Sequence, residues 1–257
     1  MQTVTYLHDC FNKGKLSRWA DNVMPLKVYI GKFSWYKSKG NAADEYKYTQ
    51  MIIDGFNLWE TLSGGLVSFE RTMNLYDSQI NVDWKRVDRK SLGSCTFNFD
   101  KLGRYYSAEL SIGLSDGIIH HQYMDENEVF HTILHEIGHS VGLGHSKTKG
   151  DIMYVPHEYG IVNISKNDIK TLKWLYKMPT GKTEAEILAL NSSYGAKSID
   201  ELVSKMSGEK SDFEKTKDKL LQAMPEKDLL KENENIGDLK KYLMQLGQIK
   251  VNYKHKH

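Results

Sequence analysis

"HEIGHSVGLGH", His135 to His145, puts three histidines, a glutamate and three glycines into eleven residues. His135 and His139 stand at i and i+4, so on a helix both rings leave the same face one turn apart. That spacing suits two ligands of a tetrahedral Zn²⁺, whose Zn–N bonds are about 2.0–2.1 Å. Glu136 lies about 100° further round such a helix, where a longer side chain reaches a water at the metal without ligating the metal itself. Gly142 can take positive φ and turn the chain back, bringing His145 to the same point from a loop. Three protein ligands leave a fourth position open, which distinguishes a catalytic zinc site from a structural one. The bland alternative is a set of solvent-exposed histidines on an ordinary helix. A short HExxH alone is a weak signal, whereas a chance match to all five positions is on the order of one in ten thousand per chain.

Outward from this run, residues 126–141 read as the helix that carries it, and "SKNDIKTLKWLY" (165–176) as a further helix opened by a capping box of Ser165 and Asp168. Upstream, "LKVYIG" (26–31) alternates as a strand. Residues 42–63 form a helix with Tyr48, Ile52, Phe56 and Trp59 on one face, stopped by Gly64 and Gly65. "LVSFERT", "QINVDW", "SCTFNF" (94–99) and "SAELSIGL" (107–114) are short strands. The expected organisation is a lead-in over 1–25, a catalytic domain over 26–179 and a Lys/Glu-rich, all-helical region over 182–257.

Composition narrows the function classes. Hydrophobic residues at 40% and charged residues at 26% suit a globular protein, and a formal net charge of +2 argues for no particular partner. No nucleic-acid signature appears, and only five of the 35 basic residues are arginine, the side chain that phosphate and guanine contacts favour. Nothing approaches the roughly 18 apolar residues of a membrane span, and the first residues carry no apolar stretch of the signal-peptide kind. Cys10 and Cys95 cannot make a disulfide framework and read as free thiols. Abundant Lys with little Arg hints at a bacterial source.

The run HExxHxxGxxH resembles the metzincin metallopeptidases. "DIMY" (151–154) supplies the methionine turn of that clan through Met153, and Ser146 after the third histidine is similar to the matrixin branch. The likeness covers about residues 26–177. It implies an α+β fold with a twisted five-stranded sheet above the active-site helix. It implies zinc on His135, His139 and His145, a hydrophobic floor at Met153, and a water activated by Glu136 as general base in a zinc-dependent endopeptidase. It also implies an edge strand at Ser94, Cys95, Thr96, Phe97 and Asn98 for an extended peptide, through β-augmentation; an interior strand is the alternative. Tyr159, with Pro156, falls where the family walls the pocket beyond the scissile bond, though the spacing departs from the usual one and an ordinary loop aromatic fits equally. Val155 stands where astacins and serralysins have a tyrosine ligand, so no such ligand is expected.

Other family features lack a counterpart. No pattern for a second zinc is found, and His131, one turn before His135, reads as a solvent or hydrogen-bonding residue; His120 and His121 are spare. Asp116, Asp125 and Glu126 are oxygen donors of the kind Ca²⁺ takes, but no EF-hand-like order supports a site. The cysteine-switch motif is missing, while Asp9 or Cys10 folding back onto the metal is a permissible latch. The partner expected is a protein or peptide substrate, with the enzyme a monomer. Family resemblance points to secretion or the cell envelope. The competing class is a catalytically idle zinc-containing binding protein with a helical interaction module; the retained Glu136 argues against it.

Overall fold

The computed structural model describes residues 5–32, 42–86, 92–115 and 125–208. His120, His121 and Asp116 lie outside them. The chain divides into two compact units, Met1–Ser204 and Lys205–His257. In the second, the described residues 205–208 are helical.

The first unit opens on a short 3-10 turn, Leu7–Cys10, and a small hairpin of β1 (Phe11–Asn12) and β2 (Lys15–Leu16). A five-stranded sheet follows, built from β3 (Leu26–Ile30), β4 (Phe69–Thr72), β5 (Ile80–Arg86), β6 (Gly93–Phe99) and β7 (Tyr105–Ser115). The spatial order is β4-β3-β5-β7-β6, with every pair parallel except β6 against β7. Parallel neighbours need crossovers, and the helix α1 (Ala42–Ser63) provides the one between β3 and β4. Tyr48, Ile52, Phe56 and Trp59 are all buried, as the spacing of three and four requires.

One sheet face packs on α1 and on the helix α2 (Glu126–Ser140). From that face Val82, Leu110 and Ile112 enter the core with Ile133, Leu134 and Ile137 of α2. The helix α3 (Lys166–Lys177) closes the lower part, and its N-terminus carries the expected capping box. Ser165 accepts the N–H groups of Asn167 and Asp168, while Asp168 accepts that of Ser165. A short helix α4 (Glu184–Leu190) and a helical stretch over 199–204 complete the unit, burying Ile187, Ile199, Leu202 and Val203.

Residues 5–19 run under this assembly with Tyr6, Leu7, Cys10, Leu16 and Trp19 buried. The Trp19 indole N–H donates to the Ser140 carbonyl at 2.7 Å, and the Arg18 guanidinium to those of Tyr176 and Met178. The start of the chain is thereby joined to the ends of both α2 and α3.

Candidate active site

The site forms where α2 ends. Helix geometry stacks His135 and His139 on one face, and Val141 and Gly142 reverse the chain, the latter at φ +103°. His145 then returns from the loop. The Nε2 atoms of His135 and His139 are 3.1 Å apart, and those of His139 and His145 also 3.1 Å. Two nitrogens held on one tetrahedral ion by about 2.0–2.1 Å bonds sit roughly 3.3 Å apart, so this is the spacing of ligands around a shared cation.

The tautomers agree. His135 Nδ1 lies 2.8 Å from the Ile152 carbonyl, and His139 Nδ1 2.8 Å from that of Leu143. A carbonyl only accepts, so both Nδ1 atoms carry the proton and both Nε2 atoms turn lone pairs inward. Two lone pairs at this distance cannot bond each other and call for a positive ion between them. Burial first, then the neighbouring imidazoles, pushes His135 down to about 3; burial pushes His139 down to about 4, with the His145 imidazole adding to the shift, and His145 itself is lowered by burial. All three are neutral at pH 7 and available as ligands. Among the described residues they are the one group of three His, Cys or carboxylate side chains gathered closely enough to hold a metal ion.

Met153 is fully buried directly beneath. A Cβ on Gly138, between the two helical ligands, would sit 2.3 Å from its sulfur, so the methionine occupies the space that a side chain would take. The Met153 carbonyl accepts the Ser146 N–H at 2.7 Å, tying the turn to the strand-like segment after His145. Asp168, beyond its capping role, accepts the Ile152 N–H at 2.9 Å and the Tyr6 hydroxyl at 2.7 Å. Asp151 accepts Ser146 Oγ, Ser165 Oγ and Asn167 Nδ2 at 2.5–2.7 Å. Since Ile152 also orients His135, this buried network fixes that imidazole at second hand. Ser165 and Asp168 were readable as a cap; the contribution of Tyr6, Asp151 and Asn167 had no local signal.

Glu136 is 6% exposed, and its Oε2 has no hydrogen-bond partner among the described residues. Burial pushes its carboxyl up to about 7, against the pull of Lys85. Gly93, at the start of β6, lies so close above it that a Cβ there would be 2.5 Å from Oε1. Three neutral imidazoles with converging nitrogens, and a buried carboxylate oxygen left unpartnered on the same helix, are the donor set and base of a metal-and-water centre, so these residues fit zinc.

The other predicted residues fall as follows. The strand of Ser94, Cys95, Thr96, Phe97 and Asn98 is the outermost of its sheet, beyond β7. Thr96 and Asn98 are exposed, Ser94 Oγ accepts from Lys85 Nζ at 3.1 Å, and Cys95 and Phe97 turn toward the helix side in register with Leu110 and Ala108. Tyr159 is 72% exposed on the loop that follows the methionine turn. His131 is buried rather than solvated, and its Nδ1 lies 2.6 Å from the Ile161 carbonyl. Cys10 stands beside the metal group rather than in it. It is a buried thiol raised to about 12, chiefly by burial, and its sulfur accepts the Gly144 N–H at 3.3 Å.

No described helix is long and apolar enough to cross a membrane. A search of curated proteins gives no match. Among 121 matching chains of solved structures is one described as "GM1 bound form of the ECX AB5 holotoxin". It is 15% identical over 74% of this chain and 99% of that one, with a TM-score of 0.43, too remote to bear on fold or function. The matrixin family model, by contrast, matches residues 32–177, which is more than half of the chain and contains the whole histidine site. The chain belongs to the matrixins, a family of zinc metallopeptidases.

Proposed function

We propose that the protein is an active zinc endopeptidase in which Glu136 is the general base. The observation that carries this reading is the buried Oε2 of Glu136, without a hydrogen-bond partner among the described residues, on the helix that also carries His135 and His139. His135, His139 and His145 would hold the ion. Zinc, when bound, supplies Lewis acidity toward the scissile carbonyl and lowers the pKa of water. Glu136 accepts a proton from the attacking water at its free oxygen and delivers it to the leaving amine. A carboxyl raised toward neutrality suits both halves of that exchange.

The substrate would be an extended polypeptide laid along β6, pairing with the backbone groups that this edge strand does not share with β7. Ser94, Cys95, Thr96, Phe97 and Asn98 would flank it, and Tyr159 would stand at the pocket beyond the scissile bond. The catalytic domain is assigned to 26–179, with 1–25 as its lead-in, 182–257 as a helical C-terminal region whose part up to Ser204 belongs to the same compact unit, and a monomer as the working unit.

Metal content and casein cleavage, measured together on wild type and Glu136→Ala, test this. One zinc per chain in both, with cleavage lost by about 10²–10⁴-fold in the variant and abolished by a chelator in wild type, is the expected result. Zinc in both with cleavage by neither would overturn it in favour of a zinc-containing binding protein.

A further inference from the structure

The loop 155–161 continues directly from the methionine turn and is fastened at three points. His157 Nε2 meets Glu128 Oε2 at 2.5 Å. His131 Nδ1 donates to the Ile161 carbonyl at 2.6 Å, and Glu158 accepts the Gly150 N–H at 2.9 Å. The rings of His157 and His131 meet edge to face, centroids 4.0 Å apart. His131 in turn stacks with the ligand His135 at 6.2 Å, the planes only 16° apart. A file of three imidazoles thus runs from His135 to the loop, which places 155–161 against α2 on the N-terminal side of His135.

The metal group is complete without His131, His157 or Glu128. Burying His131 to 3% and the Glu128 side chain to 12% exposure holds something else in place. What they hold is a rim segment whose own side chains face solvent, Val155 and Tyr159 being 49% and 72% exposed. Such a segment has little apolar burial to fix it and relies on these contacts.

We propose that Glu128, His131 and His157 are positioning residues: they clamp the loop 155–161 as the cleft wall on the His135 side and thereby set which substrate side chain is accepted next to the scissile bond there. This deepens the peptidase reading and rests on it. The physical argument is discrimination by a fixed wall. A misfit of one methylene in a rigid pocket is worth about 10–200-fold, and a wall free to retreat gives that up. Selectivity then depends on two ionisable contacts at the rim as well as on the residues facing the substrate.

The test uses the full zinc-loaded chain as wild type, Glu128→Ala, His157→Ala and Glu128→Gln, the last keeping an oxygen to accept from His157. Hydrogen exchange of the 155–163 amides reads the clamp. Kd values for peptide hydroxamates that differ only in the side chain offered to this wall read selectivity without turnover. In the two alanine variants, exchange should quicken about three- to fivefold, and the spread of Kd across the series should narrow about fivefold or more. Zinc should stay at one per chain, and Glu128→Gln should behave as wild type. Unchanged exchange overturns the proposal, and so does a loosened loop with an unchanged Kd spread. Should Glu128→Ala lose its fold, His157→Ala, altered at a side chain 30% exposed, carries the test; loss of zinc or fold there too would make the contacts merely structural and overturn it. A wild type that binds hydroxamates but cleaves nothing would defeat the peptidase reading while leaving the wall measurable.

Discussion

Residues 142–153, which carry His145, and 155–161, which pack on His131 and Glu128 of α2, are neighbours in sequence, yet they are fixed by opposite means. The first segment is held by backbone hydrogen bonds, as from Ser146 to Met153, and by the carboxylates of Asp151 and Asp168, each buried and accepting at least three donors. The second is held by side-chain contacts at the rim, between His157 and Glu128 and between Glu158 and Gly150. Ligand geometry tolerates displacements of only tenths of an ångström, so it is built from groups that cannot move independently. A substrate wall has to suit a substrate, and contacts that are individually weak can be exchanged without disturbing the metal.

The largest effect that would sharpen this contrast is acid sensitivity confined to the metal half. His135 and His139 have folded-state values lowered to about 3 and about 4, whereas the unfolded imidazoles titrate near 6.5. Below pH 6.5 the unfolded chain binds protons that the metal-free fold does not, so stability is complete above that pH and falls as pH drops toward 4. Glu136 works in the other sense. Its value is raised to about 7, so its share of stability is present below about 4.5 and is lost as pH rises through 7. Chelated wild type should therefore melt lower at pH 5 than at pH 7, and Glu136→Gln should steepen that difference by removing the opposing slope. Equal melting temperatures at both pH values in the variant would contradict the buried, neutral state of the histidines.

Next in size is Gly144→Ala. Its Cβ would lie 2.0 Å from the Asp9 carbonyl oxygen, a backbone atom that cannot turn aside. Displacing residues 5–10 should lower the unfolding free energy by about 3 kcal/mol and weaken zinc binding, both readable by urea titration with and without metal. Asp168→Asn should follow at about 2 kcal/mol, because an amide cannot accept from Tyr6 on one side and from Ile152 and Ser165 on the other. If Asp168→Asn left zinc affinity untouched, the route from Asp168 through Ile152 to His135 would be broken.

The gathering of His135, His139 and His145, the capping box of Ser165 and Asp168 and the strand-and-helix order were legible because each rests on local spacing: i and i+4 on a helix, a glycine after it, strand alternation. What was not legible was carried by distant pairs. Tyr6 and Asp168 are 162 positions apart and meet only once the sheet has folded. His131 shows the same limit. Helical rise carries it away from the ligand position, as read from the sequence, but that argument could not show that Ile161 and His157 would cover it. Nor could alternation tell whether the strand of Cys95 and Phe97 lay inside the sheet or at its edge, since either location gives a one-sided apolar pattern.

The smallest stability effect belongs to the rim, and its smallness is the informative part. Glu128→Ala and His157→Ala each remove one contact whose His157 side is 30% exposed, where solvent screens the charge and ordering the side chains offsets much of the gain. Each should lower the unfolding free energy by no more than about 1 kcal/mol, well below Gly144→Ala, with the denaturant slope unchanged. A loss as large as that of Asp168→Asn would mean that the loop is part of the same rigid body as the metal turn, and the division between a fixed ligand half and an adjustable substrate half would fail. A small loss combined with altered side-chain preference would mean that selectivity in this matrixin can change by substitutions that its fold barely registers.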